Sequence, residues 1–295
     1  MKQIISQISS QLQTAYPEDE ARSLAWWIME ELTGKSRTEL QFGCKDTAFS
    51  PIMQEKSQEI ISRLLHFEPI QYIFGHTLWC GLDLLVTPAT LIPRPETAEL
   101  IERINVQMVN DQMVNVLDVG TGSGCIAIAL KKAHPSWSVT GIDISPEAIA
   151  IARENARRNK VEVNFQVADI FSDQMTKYLN KWYMVNDPMV NIVVSNPPYI
   201  CESEKTSMRP NVLNFEPYSA LFVPDADPLL FYRRIAELFS LPLEGKGRER
   251  GLFFEINEAY GPQLSVMLDS LGYTDIQIHK DIYGKDRIIE ARMAR

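Results

Sequence analysis

After Glu96, short segments with the pattern of β-strands alternate regularly with longer segments that have the pattern of helices. The strand-like segments are rich in Val, Ile and Phe, as in VNVLDVG (114–120) and WSVTGIDI (137–144). The helix-like segments are amphipathic, as in SPEAIAIARENARRN (145–159). Parallel strands need a long crossover connection, which is usually a helix, so this alternation predicts a mostly parallel sheet with helices on both faces. The sequence therefore predicts an α/β, doubly wound fold for this part of the chain.

Residues 1–75 have apolar side chains at helical spacing, which predicts a small helical domain. Residues 76–95, HTLWCGLDLLVTPATLIPRP, alternate apolar and polar side chains around Gly81 and contain several prolines. This pattern predicts a β-hairpin followed by a linker. We therefore divide the chain into a helical domain (1–75), a hairpin linker (76–95) and an α/β domain (96–295).

The 295-residue chain has a net charge of −9, and an acidic surface repels phosphate backbones, although a local basic patch would still allow contact. No stretch approaches the ~20 apolar residues that span a bilayer, and the first residues lack the pattern of a signal peptide. The four cysteines form no CxxC pair and the four histidines are scattered, which predicts reduced thiols and no metal site. We therefore expect a cytoplasmic protein, monomeric, without direct contact to nucleic acid or membrane.

A glycine-rich loop, GTGSG, lies directly between a predicted strand and a predicted helix. Glycines there permit a tight turn and let a ligand approach the backbone closely. The spacing differs from the G-x-G-x-x-G fingerprint of dinucleotide sites and favours a smaller cofactor. Asp143 at the end of the next strand can accept hydrogen bonds from both hydroxyls of a ribose. With Asp118, Asp143 and Asp169 placed at successive strand ends, the sequence predicts one nucleoside site, formed by Gly120, Thr121, Gly122, Ser123, Gly124, Asp143, Asp169 and Ile170.

This segment resembles the S-adenosylmethionine-binding core of class I methyltransferases. The resemblance implies that the glycine turn holds the methionyl part of S-adenosyl-L-methionine and that Asp143 holds the ribose. Asp169 can accept a hydrogen bond from the adenine amino group, and Ile170 can lie against the adenine ring. The product of such a reaction is S-adenosyl-L-homocysteine.

The motif Asn196-Pro197-Pro198-Tyr199 follows the fourth predicted strand of the α/β domain. In class I methyltransferases a motif of this type marks transfer to a planar nitrogen, either an amide or the exocyclic amine of a base. Such a nitrogen is a poor nucleophile because resonance delocalises its lone pair. Asn196 and the carbonyl of Pro197 can accept its hydrogens, and Tyr199 can cover the planar group with its ring. We therefore expect Asn196, Pro197 and Tyr199 to be catalytic, all four residues to bind substrate, Asn196 also to touch the cofactor, and no titratable base to be required.

Two further motifs, EPIQYIFG (68–75) and TLIPRPETAELIE (90–102), precede the glycine loop. Together with GTGSG and NPPY they resemble the release factor glutamine methyltransferases over essentially the whole chain. The resemblance implies transfer of a methyl group to the side-chain amide nitrogen (N5) of the glutamine in the GGQ motif of peptide chain release factors. It also implies that the helical domain recognises the protein substrate.

The chain departs from the family pattern at two positions. The family usually has an acidic residue directly after RPET, whereas this chain has Ala98 there and Glu99 one place later. Relatives often have an aromatic residue at the position of Ile170, which implies weaker stacking on adenine here. Arg94 and Glu96 either order the linker over the cofactor or pair with each other.

Two other hypotheses remain open at the level of the residues. The NPPY motif also permits a DNA or RNA amino-methyltransferase, against which the acidic charge and the lack of an evident basic recognition segment argue. A non-enzymatic binding module that retains the cofactor fold is the third hypothesis, and the intact glycine loop, Asp143 and Asn196 argue against it.

Overall fold

The computed structural model describes residues 1–42, 49–107, 114–173, 175, 191–240 and 250–293. The chain forms two compact units, one of Met1–Gly75 with Arg209–Phe215 and the other of His76–Met208 with Glu216–Arg295. Residues 177–190, which the sequence predicts to be a loop between two strands, lie outside the described residues. No described helix is both long and apolar enough to cross a membrane.

The smaller unit is helical, as the sequence predicts. Its helices are α1 (Lys2–Leu12), α2 (Glu18–Thr33), α3 (Arg37–Phe42), α4 (Pro51–Leu65), α5 (Ile70–Phe74) and the short α9 (Pro210–Leu213). Gly34 ends α2 in the left-handed conformation, which suits glycine because it has no Cβ. The hydroxyl of Ser50 caps α4 by accepting a hydrogen bond from the amide of Met53 at 3.2 Å. The apolar faces of α1 to α5 form one core around Leu12, Ile28 and Leu64.

The larger unit contains the remaining helices and all of the described strands. The helices are α6 (Thr97–Gln107), α7 (Cys125–Ala133), α8 (Pro146–Asn159), α10 (Leu230–Ser240) and α11 (Gly261–Ser270). The strands are β1 (His76–Trp79), β2 (Leu82–Leu85), β3 (Asn115–Val119), β4 (Ser138–Asp143), β5 (Asn164–Val167), β6 (Ile192–Ser195), β7 (Ile200–Cys201), β8 (Phe222–Val223), β9 (Arg250–Glu255), β10 (Tyr273–Lys280) and β11 (Asp286–Met293).

Within the described residues, seven strands form the central sheet in the order β10-β11-β9-β6-β3-β4-β5. The pairs β3·β4, β4·β5, β3·β6 and β6·β9 are parallel, and β11 pairs antiparallel with both β9 and β10. The predicted mostly parallel, doubly wound sheet is thus confirmed. The strand order runs outward from β3 to β5 and then resumes on the other side of β3 with β6. Such a switch point opens a crevice at the carboxyl ends of the two strands, where open α/β sheets bind their ligands.

Each face of the sheet is covered by helices. Val116 of β3 packs in one apolar cluster with side chains of α6, α7 and α8. The next residue, Leu117, packs in the second cluster with side chains of α10 and α11. This division follows from the strand geometry, because successive side chains point to opposite faces of a sheet.

Strands β1 and β2 form the antiparallel hairpin that the sequence predicts. Its turn is Cys80-Gly81, and both residues have positive φ, 49° and 71°, as a two-residue hairpin turn requires. Beyond the hairpin, the indole of Trp79 donates a hydrogen bond to the carbonyl of Arg94 at 2.8 Å. That bond fixes the course of the segment that leads into α6.

Candidate active site

A cavity of about 380 Å³ opens at the carboxyl ends of the parallel strands, where the chain crosses from one side of β3 to the other. Ten of the residues that the sequence predicts for the site line it: Gly120, Thr121, Gly122, Ser123, Asp143, Asp169, Ile170, Asn196, Pro197 and Pro198. Gly124 and Tyr199 are not among its lining residues. The cavity therefore lies between the glycine loop after β3 and the NPPY segment after β6.

The three loop glycines have positive φ, between 54° and 80°, but they differ in their surroundings. A Cβ on Gly120 would meet no atom within 4 Å, and one on Gly122 would meet only a carbonyl oxygen at 4.0 Å. A Cβ on Gly124 would lie 2.9 Å from the ring of Phe165 and 3.1 Å from Ala152. The first two glycines thus keep the floor of the cavity open, whereas Gly124 lets α7 pack closely against β5 and α8.

We expect Gly124→Ala to destabilise the larger unit by about 2–4 kcal/mol, because it adds overpacking to the cost of a left-handed backbone. Gly122→Ala is the matched control, since it carries the backbone cost but directs its methyl group into open space. It should lower cofactor affinity more than stability. Denaturant unfolding and calorimetric cofactor titration of both variants separate the two effects, and equal losses of stability would contradict the assignment.

The glycine loop is held in place from two directions. Asp143 at the end of β4 accepts the amide of Gly122 with Oδ2 and the amide of Ser145 with Oδ1, both at 2.9 Å. Asn155 of α8 is fully buried and donates to the carbonyl of Ser123 at 2.9 Å. Burial raises the pKa of Asp143, and these backbone hydrogen bonds oppose the shift.

The outer end of the cavity is more apolar. Ile170 lines it and packs against the apolar cluster of α10, while its carbonyl accepts a hydrogen bond from Arg234 at 2.7 Å. Asp169 accepts the amide of Phe171 at 2.8 Å, which turns the chain at this edge. The exposed side chain of Ile144 lies on the same lining. A flat, weakly polar group suits this end, with one carboxylate at its edge.

Asp118 lies elsewhere than the sequence predicts. It is inside β3 rather than at its end, is 1% exposed, and does not line the cavity. Its position in the strand alternation turns the side chain below the loop, where its Oδ2 accepts a hydrogen bond from the hydroxyl of Thr121 at 2.6 Å. Burial raises the pKa of Asp118 to about 7, against hydrogen bonds from Thr121 and Ala127.

We expect Asp118 to make stability fall between about pH 4 and pH 7. Its native pKa of about 7 lies above its ordinary value of 3.8, so the folded state holds the proton more tightly than the unfolded state. The stabilisation from Asp118 is complete below the unfolded-state pKa of 3.8 and is lost as pH rises through the native pKa of about 7. Asp118→Asn removes this titration, so its stability relative to wild type should rise from pH 5 to pH 8. Urea unfolding at several pH values measures the difference, and parallel pH profiles would contradict it.

The NPPY segment is joined to the glycine-loop side of the cavity. The hydroxyl of Ser195 donates to the carbonyl of Val119 at 2.6 Å, which ties the ends of β6 and β3 together. Asn196 is half-buried and donates from Nδ2 to the hydroxyl oxygen of Thr97 at 3.3 Å. The hydroxyl of Tyr199 donates to Oε1 of Glu255 at 3.0 Å, and the carbonyl of Tyr199 accepts from Asn257 at 3.2 Å. Tyr199 thus packs behind the cavity wall instead of covering the cavity with its ring.

Glu255 is a site residue that the sequence reasoning missed. It ends β9, beside β6 in the sheet, and is 1% exposed. Its two oxygens accept the hydroxyls of Thr97, at 2.6 Å, and of Tyr199. Burial raises the pKa of Glu255, while both hydrogen bonds and the charge of Arg287 oppose the shift. Its signal in the sequence is an acidic residue after the apolar run GLFF, the same pattern that revealed Asp143.

Arg94 in the motif IPRPET forms an ion pair with Glu216 at 2.6 Å, so of the two alternatives for Arg94 and Glu96, their pairing with each other is wrong. Glu216 is nearly inaccessible and also accepts the amide of Ile92 at 3.2 Å, which holds this segment along the cavity that Arg94 lines. Glu99 instead accepts the exposed amide of Ile282 at 3.2 Å, and Ala98 packs against the apolar cluster of α6 and α7. In the described part of the chain, no cluster of His, Cys, Asp and Glu side chains could hold a metal ion.

Comparisons with known proteins agree with this fold. Residues 110–212 match the family model described as "Methyltransferase domain", and residues 3–75 match "PrmC N-terminal domain". The hMettl16 catalytic domain, solved in complex with MAT2A 3'UTR hairpin 1, has a TM-score of 0.54 and 14% identity over 97% of this chain and 91% of that chain. Identity this low shows the fold alone. The fold, the glycine loop and the NPPY segment define a class I methyltransferase.

Two curated relatives, both named release factor glutamine methyltransferase, align with almost the whole chain. The protein of Bacteroides thetaiotaomicron is 45% identical over 294 residues, 99% of each chain. That of Flavobacterium psychrophilum is 38% identical over 293 residues, 98% of each chain. The chain belongs to the release factor glutamine methyltransferase family, as the motifs of the sequence indicate.

Proposed function

We propose that this protein transfers a methyl group from S-adenosyl-L-methionine to the side-chain amide nitrogen of the glutamine in the GGQ motif of peptide chain release factors. The observation that carries the proposal is the position of Asn196 and Pro197 on the same cavity as the glycine loop. A planar nitrogen bound by NPPY would therefore lie beside a cofactor bound by the loop. The family membership supplies the identity of the substrate.

The cavity residues fit S-adenosylmethionine. Gly120 and Gly122 present bare backbone to the floor, which suits a methionyl group that must lie close to the main chain. Each oxygen of Asp143 accepts one backbone amide, which leaves further lone pairs for the two ribose hydroxyls. The apolar outer end, with Ile170 and Asp169, suits adenine. When bound, the cofactor supplies an electrophilic methyl group on a positively charged sulfur.

The protein's own residues act on the target amide. Its NH₂ group has two hydrogens, and Oδ1 of Asn196 and the carbonyl of Pro197 are the acceptors that we assign to them. Two prolines in sequence restrict the backbone, so the carbonyl of Pro197 is oriented before the substrate arrives. Holding the amide in this way aims its lone pair at the methyl group, which lowers the entropic part of the barrier. The nitrogen loses its proton after transfer, so no titratable base is needed in contact with it.

The remaining assignments follow from family membership and from composition. We assign recognition of the release factor to the helical unit and the role of a linker to the hairpin segment (76–95). We also expect a cytoplasmic, monomeric enzyme, with S-adenosyl-L-homocysteine as the released product.

Mass spectrometry of purified, unmethylated release factor after incubation with this protein and S-adenosylmethionine tests the proposal. We expect one added methyl group, on the GGQ glutamine. A release factor with that glutamine replaced by alanine is the control and should gain none. Equal methylation of the control, or methylation of oligonucleotides but not of release factor, would overturn the proposed substrate.

A further inference from the structure

We propose that Glu255 determines whether Asn196 presents the oxygen or the nitrogen of its side-chain amide to the cavity. It does so through Thr97, which donates a hydrogen bond to Glu255 and accepts one from Asn196. We call this pair of hydrogen bonds the relay. The inference rests on the proposed function, because it explains how the oxygen of Asn196 comes to face a substrate NH₂ group. Glu255 and Thr97 are positioning residues in this scheme, and neither needs to touch the substrate.

The first step of the relay is the acceptor character of Glu255. Thr97 and Tyr199 direct their hydroxyl groups at its two oxygens, at 2.6 and 3.0 Å. An ionised carboxylate can only accept hydrogen bonds, so both hydroxyls must donate. Burial raises the pKa of Tyr199, and the charge of Glu255 raises it further, so this phenol keeps its proton. The hydrogen bonds from both hydroxyls and the charge of Arg287 favour the ionised form of Glu255 against the effect of burial, so we assign Glu255 as the common acceptor.

The second step is the single hydrogen of Thr97. A threonine hydroxyl has one hydrogen and two lone pairs. Thr97 donates its only hydroxyl hydrogen to Glu255. Thr97 is 2% exposed, so water does not compete freely for its other side. Towards Asn196, 3.3 Å away, Thr97 therefore offers only a lone pair. Only Nδ2 of the asparagine amide can donate to it.

The third step concerns the direction in which the side-chain oxygen of Asn196 points. With Nδ2 on Thr97, Oδ1 is the end of the amide that remains for the cavity, which Asn196 lines. No donor from the described residues contacts Oδ1 in the hydrogen bonds of the structure. A reversed amide would present NH₂ to the substrate NH₂, two donors facing each other. The relay thus keeps Asn196 in the only orientation that can accept the substrate's hydrogen.

Thr97→Val and Thr97→Ser form the matched pair that tests the relay. Valine has nearly the shape of threonine but no hydroxyl, whereas serine keeps the hydroxyl. We expect Thr97→Val to lower kcat for release factor methylation by about tenfold or more, with cofactor Kd changed less than about twofold. Thr97→Ser should keep most of the activity. Equal kcat values in the two variants would overturn the proposal.

A second experiment reverses the relay. Asn196→Asp replaces the donor by an acceptor, which Thr97 cannot satisfy while it donates to Glu255. In Glu255→Gln, the new side-chain NH₂ group can donate a hydrogen bond to the oxygen of Thr97. The hydroxyl of Thr97 can then donate its hydrogen to the carboxylate that Asn196→Asp introduces. We expect Glu255→Gln to lower kcat in the wild-type background and to raise it in the Asn196→Asp background, but not when Thr97→Val is also present. A rescue that survives Thr97→Val would indicate charge relief alone and overturn the relay.

A readout without turnover separates this inference from the proposed function. The side-chain NH₂ signal of Asn196 in nitrogen-15 NMR spectra can be assigned by its loss in Asn196→Ala. We expect slow hydrogen exchange of this group in the wild type and faster exchange in Thr97→Val, with Thr97→Ser close to wild type. If release factor is not methylated but this pattern holds, only the proposed function fails. If methylation occurs and exchange is the same in all three proteins, only the relay fails.

Discussion

Asn196→Ala is expected to reduce kcat for glutamine methylation by about 10²–10³-fold, the usual effect of removing one preorganised group that stabilises developing charge. In the proposed mechanism, Oδ1 of Asn196 accepts a hydrogen of the target amide, and this contact strengthens as positive charge develops on nitrogen. The side chain lies on the cavity between the glycine loop and Pro197. Cofactor affinity should change by less than about threefold, because we assign most of that binding to the glycine loop and Asp143.

Single-turnover rates and calorimetric titration with S-adenosylmethionine measure the two effects in one set of samples. Asn164→Ala is the control, since Asn164 is an exposed residue of β5 in the same sheet. It should leave both quantities unchanged. A parallel loss of rate and cofactor affinity in Asn196→Ala would make Asn196 chiefly a cofactor residue.

Asp143→Ala should weaken cofactor binding by about 100-fold, because it removes the carboxylate that we assign to both ribose hydroxyls. It also removes the acceptor for the amides of Gly122 and Ser145, so the floor of the cavity loses part of its support. At saturating cofactor, kcat should fall much less than affinity. Calorimetry gives the Kd of the cofactor, and rates measured at rising cofactor concentration give kcat at saturation.

Asp169→Ala is the comparison for Asp143→Ala, because Asp169 follows the neighbouring strand and lines the same cavity. It has a single assigned contact, the adenine amino group, so we expect a loss of affinity of about tenfold or less. Thermal unfolding of both variants shows whether the fold is retained. A larger effect of Asp169→Ala than of Asp143→Ala would reverse the assignment of ribose and adenine ends.

Local patterns in the sequence were sufficient for the architecture and for most of the cavity. Strand–helix alternation predicts the parallel sheet, and parallel strands bring their carboxyl ends to one edge. The glycine loop, Asp143 and NPPY each follow a recognisable strand, so their convergence could be expected without coordinates. Asp118 shows the limit of this reasoning, because a position one residue before the end of β3 is enough to bury its side chain.

Only the tertiary structure decided which distant side chains support the site. Thr97 bonds Glu255 across 158 positions of the chain, and Arg94 bonds Glu216 across 122. No local spacing encodes such pairs, since the partners meet only after the sheet has formed and buried them. The sequence by itself determined the fold and most of the residues that line the cavity, because these depend on side-chain periodicity and short-range backbone geometry. The structure decided the direction of each hydrogen bond around Asn196, because direction depends on which donors and acceptors burial leaves within reach of one another.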